Sequence, residues 1–323
     1  MANLRAVTGK PPWVHKFGIM LMLVTLYFTG CGRAGTTSSG NVERFDAESI
    51  SKAAGTKAMM TEAGVVAIRW IRDDVKVTVD QVPLKPFAGL VSIAAFHGGP
   101  HGAMVMGDMV VFQDEVAPAM DAAFKSGLEV TALHNHFAFD EPKVYFMHVG
   151  GSGDAEKLAA GVKAIWDAIK ELRKSSPQPV EAFSRTAPEA NGSISANQIE
   201  QILGHKSRAQ DGVVMVVIGR EGQMNGVKIG ESMGLGTTIA FSGSDKHAVV
   251  YGDFIMTAAE VQPVLKALRA RGINIVALHN HMIGEEPAFF FTHFWGKASA
   301  KELAERIKAA LDAQHNASRP AGR

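Results

Sequence analysis

The chain has 323 residues, with 33 Lys plus Arg against 32 Asp plus Glu and a net charge of +1. Apolar residues make up 46% and charged residues 20%, which excludes bulk disorder and predicts a sizeable core. The near-zero balance argues against a general electrostatic nucleic-acid binder. A single cysteine excludes an intramolecular disulfide and a zinc site built on several thiolates.

Residues 1–16 carry Arg5, Lys10 and Lys16 and no acid. An apolar run from Phe17 to Phe28 follows, then Thr29-Gly30-Cys31. Twelve helical residues reach about 18 Å, short of a bilayer core of about 30 Å. The pattern therefore predicts a secretory signal over residues 1–30 rather than a spanning helix. Cys31 after Gly30 resembles a bacterial lipoprotein box, with Phe28 where a Leu is usual. The resemblance implies diacylation of Cys31, an extracytoplasmic place in the cell envelope and a membrane partner reached through acyl chains. Residues 31–42, with Thr36-Thr37-Ser38-Ser39-Gly40, read as a flexible tether. Without the first thirty residues the charge balance becomes 30 basic against 32 acidic.

The body is duplicated. Residues 95–151 align with 240–296 at a constant offset of 145, without a gap, and 22 of these 57 positions are identical. The shared positions include Gly107-Asp108 with Gly252-Asp253, Glu115-Val116 with Glu260-Val261, and Ala132-Leu133-His134-Asn135-His136 with Ala277-Leu278-His279-Asn280-His281. A self-match of this length marks two copies of one unit, set at 43–174 and 193–316. The Pro- and Ser-rich segment 175–192 reads as a linker, and 317–323 as a tail.

Each copy predicts the same order of elements. A short helix (46–54 and 196–203) ends at Gly55 or Gly204, the second opened by Ser195-x-x-Gln198. β-rich runs follow at Val65–Ile71 and Val213–Ile218, then at Ala103–Phe112 and Ala248–Thr257. A second helix (114–126 and 258–271) ends at Gly127 or Gly272, and Thr257-x-x-Glu260 caps its second copy. A strand enters the His-Asn-His triplet, and another strand returns. The last helix shows Leu158, Val162, Ile165, Ile169 and Leu172 at helical spacing; its partner shows Leu303, Ile307 and Leu311 behind the cap Ser299-x-x-Glu302. Antiparallel strands with helices on one face predict an α+β fold built twice, about a pseudo-twofold axis.

Chemistry concentrates after the third strand run. Each copy reads His-Asn-His, four residues, Glu-Pro, five residues, His. Alternate strand residues share a face, so His134 and His136 point together, as do His279 and His281. With Glu141 and His148, or Glu286 and His293, they form a candidate cage for a divalent transition metal: Zn, Mn, Fe, Ni or Cu. His148 shares the face of His134 only if paired residue numbers have an even sum; 282 would set His134 opposite His148, with Glu141 at the turn centre. The same histidines also suit metal-free acid/base chemistry or ligand binding, and strand-end histidines often only bond the main chain. His97 and His101 flank a Gly-Gly-Pro turn that the second copy lacks, and Asp108 and Asp253 are candidates to orient the histidines. Met104, Met106 and Met109 offer soft thioethers, but their counterparts Val249, Tyr251 and Phe254 predict core packing. Gly230-Glu231-Ser232-Met233-Gly234 precedes a strand rather than a helix, which argues against a hydrolase serine.

On Ala-Leu-His-Asn-His, Glu-Pro and the downstream His, the sequence resembles the LppY/LpqO family of bacterial lipoproteins. That resemblance spans nearly the whole chain beyond residue 30, and implies an envelope location and a lipid anchor but no defined activity. The order of helix, His-rich strand end, returning strand with Thr292-His293 and capped helix is more distantly similar to pterin-4a-carbinolamine dehydratases. This second resemblance implies metal-free acid/base roles for His279, His281 and His293. Three classes of function stand: a metal-binding protein or metal-dependent enzyme, a metal-free enzyme or ligand binder, and a tethered structural module.

Overall fold

A computed structural model describes residues 46–99, 102–183 and 192–319. The expected signal, tether and Cys31, and also His101, lie outside the described residues. The first repeat runs α1 (Ala47–Ala54), β1 (Ala58–Met60), β2 (Val66–Ile71), β3 (Thr78–Val79), β4 (Val82–Pro83), β5 (Val91–Gly99), β6 (Gly102–Phe112), α2 (Val116–Lys125), β7 (Glu129–His134), β8 (Asp140–Glu141), β9 (Val144–Gly153) and α3 (Ala155–Ser175). The second repeats this order as α4 (Ala196–Leu203), β10 (Ser207–Gln210), β11 (Val213–Gly219), β12 (Gly222–Met224), β13 (Val227–Ile229), β14 (Gly236–Gly243), β15 (Ala248–Thr257), α5 (Ala258–Ala270), β16 (Asn274–His279), β17 (Glu285–Glu286), β18 (Phe289–Ala298) and α6 (Ala300–Ala317). The fold is α+β.

Local chemistry sets the boundaries. Asp46 accepts the Glu48 and Ser49 N–H groups at the start of α1, and Gly55 closes it at φ 64°. Thr257 with Glu260 and Ser299 with Glu302 form reciprocal capping boxes on α5 and α6. In α3, Leu158, Val162, Ile165 and Ile169 are buried at helical spacing. Leu172 is only half-buried; its neighbour Arg173 is buried instead, paired with Asp114 and Glu115.

The two copies share one antiparallel sheet of twelve strands, in the order β1-β2-β5-β6-β9-β7-β16-β18-β15-β14-β11-β10. The seam is β7 against β16, where Leu133 pairs with Leu278. These leucines are each other's counterparts at offset 145, so the pseudo-twofold axis passes through the seam. Helices and sheet enclose one large core that includes both seam leucines.

Alternation along β6 separates two layers. Met109 and Val111 join the helix-side core, whereas Val110 and Phe112 join a smaller cluster with Val75, Val77, Leu90, Val144 and Phe146. Over this opposite face lies the small sheet β4-β3-β8, matched in the second repeat by β13-β12-β17 and the Ile229, Leu235, Ile255, Phe289 and Phe291 cluster. The expectation that all three β6 methionines pack in the core is corrected here. Met109 is buried, but Met104 and Met106 are 46% and 67% exposed on the open face.

A buried ion network ties the layers. Arg72 donates to Glu115 at 2.7 and 2.8 Å and to Asp74 at 2.9 and 3.0 Å. Glu115 also accepts from the Phe112 N–H at 2.8 Å. Arg220 and Glu260 repeat the pair in the second copy. No helix among the described residues is long and apolar enough to cross a membrane.

Candidate metal centre

Leu133 and Leu278 face the helices, so His134 and His279, one residue on, face the opposite side. In the first repeat His134 pairs with Phe146 and Ala132 with His148. The pair sum is therefore 280: even, as a shared face requires, but one step from the 282 that would set the two histidines directly opposite. They meet diagonally instead. His279 with Phe291, and Ala277 with His293, repeat this register.

The rings converge in both copies. His134 lies 5.1 Å from His136 and 5.0 Å from His148 between ring centroids; His279 lies 5.1 Å from His281 and 4.9 Å from His293. His136 stacks flat on Phe146 at 3.3 Å, and His281 on Phe291 at 3.5 Å, each at an interplanar angle of 7°. This stacking fixes the third ring of each set after its chain has left the strand. Asn135 anchors the first turn by donating to the Val144 carbonyl at 2.8 Å. Asn280 donates instead to the Met282 carbonyl at 2.7 Å.

Ligand-type nitrogens of His134, His136 and His148 all lie within 4.8 Å of one another, and those of His279, His281 and His293 do so together with an Asp253 oxygen. His148 Nε2 and His134 Nε2 are 3.0 Å apart. Two imidazoles on a tetrahedral or octahedral ion with bonds of 2.0–2.1 Å stand roughly 2.9–3.4 Å apart, so the spacing fits a shared ion. His281 Nε2 is 3.3 Å from Asp253 Oδ2, and His148 Nε2 is 3.9 Å from Asp108 Oδ1. Asp108 Oδ1 and Asp253 Oδ1 are buried and accept no hydrogen bond among the described residues, an arrangement that suits an additional cationic partner.

Electrostatics favour the neutral imidazoles a metal needs. Burial holds His136 and His281 below the ordinary histidine range, with Asp108 and Asp253 respectively opposing. Burial also pushes the Asp253 carboxyl up, while His293, His281 and His279 pull it back.

The glutamates expected in the cage are placed elsewhere. Glu141 pairs with Thr78 in the small sheet and Glu286 with Gln223, both exposed, and neither joins a histidine group. The carboxylate comes instead from β15 in the second copy, where Asp253 pairs with His293. In the first copy, Asp108 pairs with His148 on β6. Their shared position after Gly107 and Gly252 was the signal in the sequence. His97 is exposed on β5, where it pairs with Met104, outside both groups.

No curated protein matches the chain. Among solved structures, the trimeric bacterial microcompartment shell protein PduB is 10% identical, covering 79% of this chain and 89% of its own, with a TM-score of 0.21. EtuB from Clostridium kluyveri is 11% identical, covering 80% and 90%, at 0.21. The double-ringed trimeric shell protein MSM0271 is 14% identical, covering 69% and 83%, at 0.17. Superpositions this poor carry no inference. Residues 48–168 and 197–313 each match one family, so both repeats are accounted for by the same domain, and the chain belongs to the family described as Domain of Unknown Function (DUF1259).

Proposed function

We propose that this protein binds a divalent transition metal in each repeat and works from the cell envelope, tethered through acylated Cys31. The observation that carries the metal reading is the convergence of three imidazoles in both copies, with Asp253 completing the second set. Three nitrogens leave a position for water or a substrate oxygen, whereas three nitrogens and a carboxylate fill a tetrahedral shell. The first repeat is thus the more open centre and the second the more closed. Titration of Zn(II) into metal-stripped, untagged protein tests this: two equivalents bind, and Asp253→Asn weakens one of them. Binding of fewer than one equivalent defeats the reading.

The anchor reading rests on the order of cations, apolar run and Gly30-Cys31, and on the resemblance to LppY/LpqO lipoproteins. Metabolic labelling with a clickable fatty acid should mark the wild-type chain and not Cys31→Ser. A metal-free acid/base role draws on the same 3.0 Å contact between His134 and His148, where one neutral ring can donate to the other, and on the resemblance to pterin-4a-carbinolamine dehydratases.

A further inference from the structure

The open face of β6 carries Met104, Met106 and Asp108 in succession. The two methionines are 46% and 67% exposed. Duplication does not account for them: the counterpart of Met104, Val249, is 4% exposed, and the counterpart of Met106 is Tyr251. Directly across from Met104 on β5 stands His97. Residues paired directly across an antiparallel ladder share a face, with Cβ atoms about 4.5–5.5 Å apart. His97 is therefore the direct cross-strand neighbour of Met104 on the open face, and Met106 follows two residues along the same row. The counterpart of His97 is Ser242, so only the first repeat has the trio.

His97 is also oriented. Its Nδ1 lies 2.8 Å from the Gly98 carbonyl, an acceptor only, so Nδ1 carries the proton and donates. In the neutral ring this leaves the lone pair on Nε2. Two thioether sulfurs are soft ligands and the imidazole nitrogen is a borderline one, and all three residues are open to solvent. They suit a monovalent d10 ion and discriminate against the hard divalent ions that prefer oxygen.

We propose that His97, Met104 and Met106 form a binding site for Cu(I), separate from the histidine clusters. Along the same strand, Met104 lies about 13 Å from Asp108, the carboxylate beside the first cluster, at roughly 3.3 Å per residue. The site thus stands on the open face, close to that centre but sharing no ligand with it.

The test uses the full chain carrying Cys31→Ser, so that no free thiol takes up the probe, labelled with 13C-methyl methionine, with Zn(II) saturating the histidine clusters and Ag(I) as a redox-stable probe for Cu(I). One Ag(I) equivalent should bind, and methyl shifts should be confined to Met104 and Met106 among the 15 methionines. Met104→Leu/Met106→Leu, an exposed and nearly isosteric change, should lose that equivalent while keeping its Zn(II) stoichiometry. His97→Ala should weaken Ag(I) without altering Zn(II). Equal Ag(I) binding by the double variant, or shifts spread over other methionines, overturns the proposal. Loss of Zn(II) alone would instead refute the histidine centres and leave this site standing.

Discussion

Truncating Glu115 tests whether the buried ion network holds the layers together. The carboxylate is fully buried, accepts from both nitrogens of the Arg72 fork and from the Phe112 N–H, and forms an ion pair with Arg173 at 3.0 Å. In Glu115→Ala, the Arg72 guanidinium stays 2% exposed and keeps only Asp74 as an anionic partner, itself 39% exposed. Stranding a buried charge in this way costs about 3–5 kcal/mol. At about 2–4 °C per kcal/mol for a body of this size, the melting temperature falls by roughly 6–20 °C. Urea unfolding followed by circular dichroism gives the loss directly. Arg72→Met/Glu115→Leu should lose less than the single variant, because Arg72 no longer strands a charge and Arg173 retains Asp114. Glu260→Ala should also lose less, since Arg220 is 27% exposed and can rehydrate. A loss below about 1 kcal/mol in Glu115→Ala, or a double variant weaker than the single, refutes the reasoning.

Other outcomes follow from the same structure. Burial pushes the Glu260 carboxyl up, but bonds from Arg220, Ser318, the Thr257 N–H and Gln314 outweigh it and bring it from 4.5 to about 2. Because the folded value is the lower one, the stabilisation of about 3 kcal/mol is complete above pH 4.5 and fades as the pH falls towards 2. The stability gap between wild type and Glu260→Gln, measured by urea unfolding, should therefore narrow over that window; a gap constant with pH contradicts it. A Cβ on Gly252 would stand 1.9 Å from the Thr238 carbonyl oxygen, whereas one on Gly107 meets only side-chain atoms at 2.8 and 2.9 Å within 3 Å. Thermal melts should show Gly107→Ala costing about 1–3 kcal/mol and Gly252→Ala more.

Much of this was legible in the sequence because it was local or repeated. The offset of 145 exposed the duplication and capping residues marked helix ends; His134 and His136 do converge, but β7 ends at His134 and the stacking of His136 on Phe146, not strand alternation, holds the second ring. Long-range pairing was not legible. Glu141 looks like a turn carboxylate beside its histidines, but β8 pairs with Thr78, some sixty residues earlier, and this turns Glu141 away. Asp108 and Asp253 reach the clusters only because β6 and β15 lie beside β9 and β18. The merging of both copies into one sheet runs through the Leu133–Leu278 ladder pair, flanked by the bonds of Gln262 to the Val130 main chain and of Arg269 to Asp121, and no local pattern encodes these. The exposure of Met104 and Met106 was hidden for a related reason: aligned positions in two copies need not be covered by the same neighbours.

Metal content of the full chain, purified without a histidine tag and measured by mass spectrometry of the elements, tests the histidine centres most directly. Near-stoichiometric transition metal at two ions per chain, falling to one in His134→Ala and to one in His279→Ala, is the expected result. Protein that carries no metal, and whose melting temperature does not move when Zn, Mn, Cu or Ni is added, contradicts it.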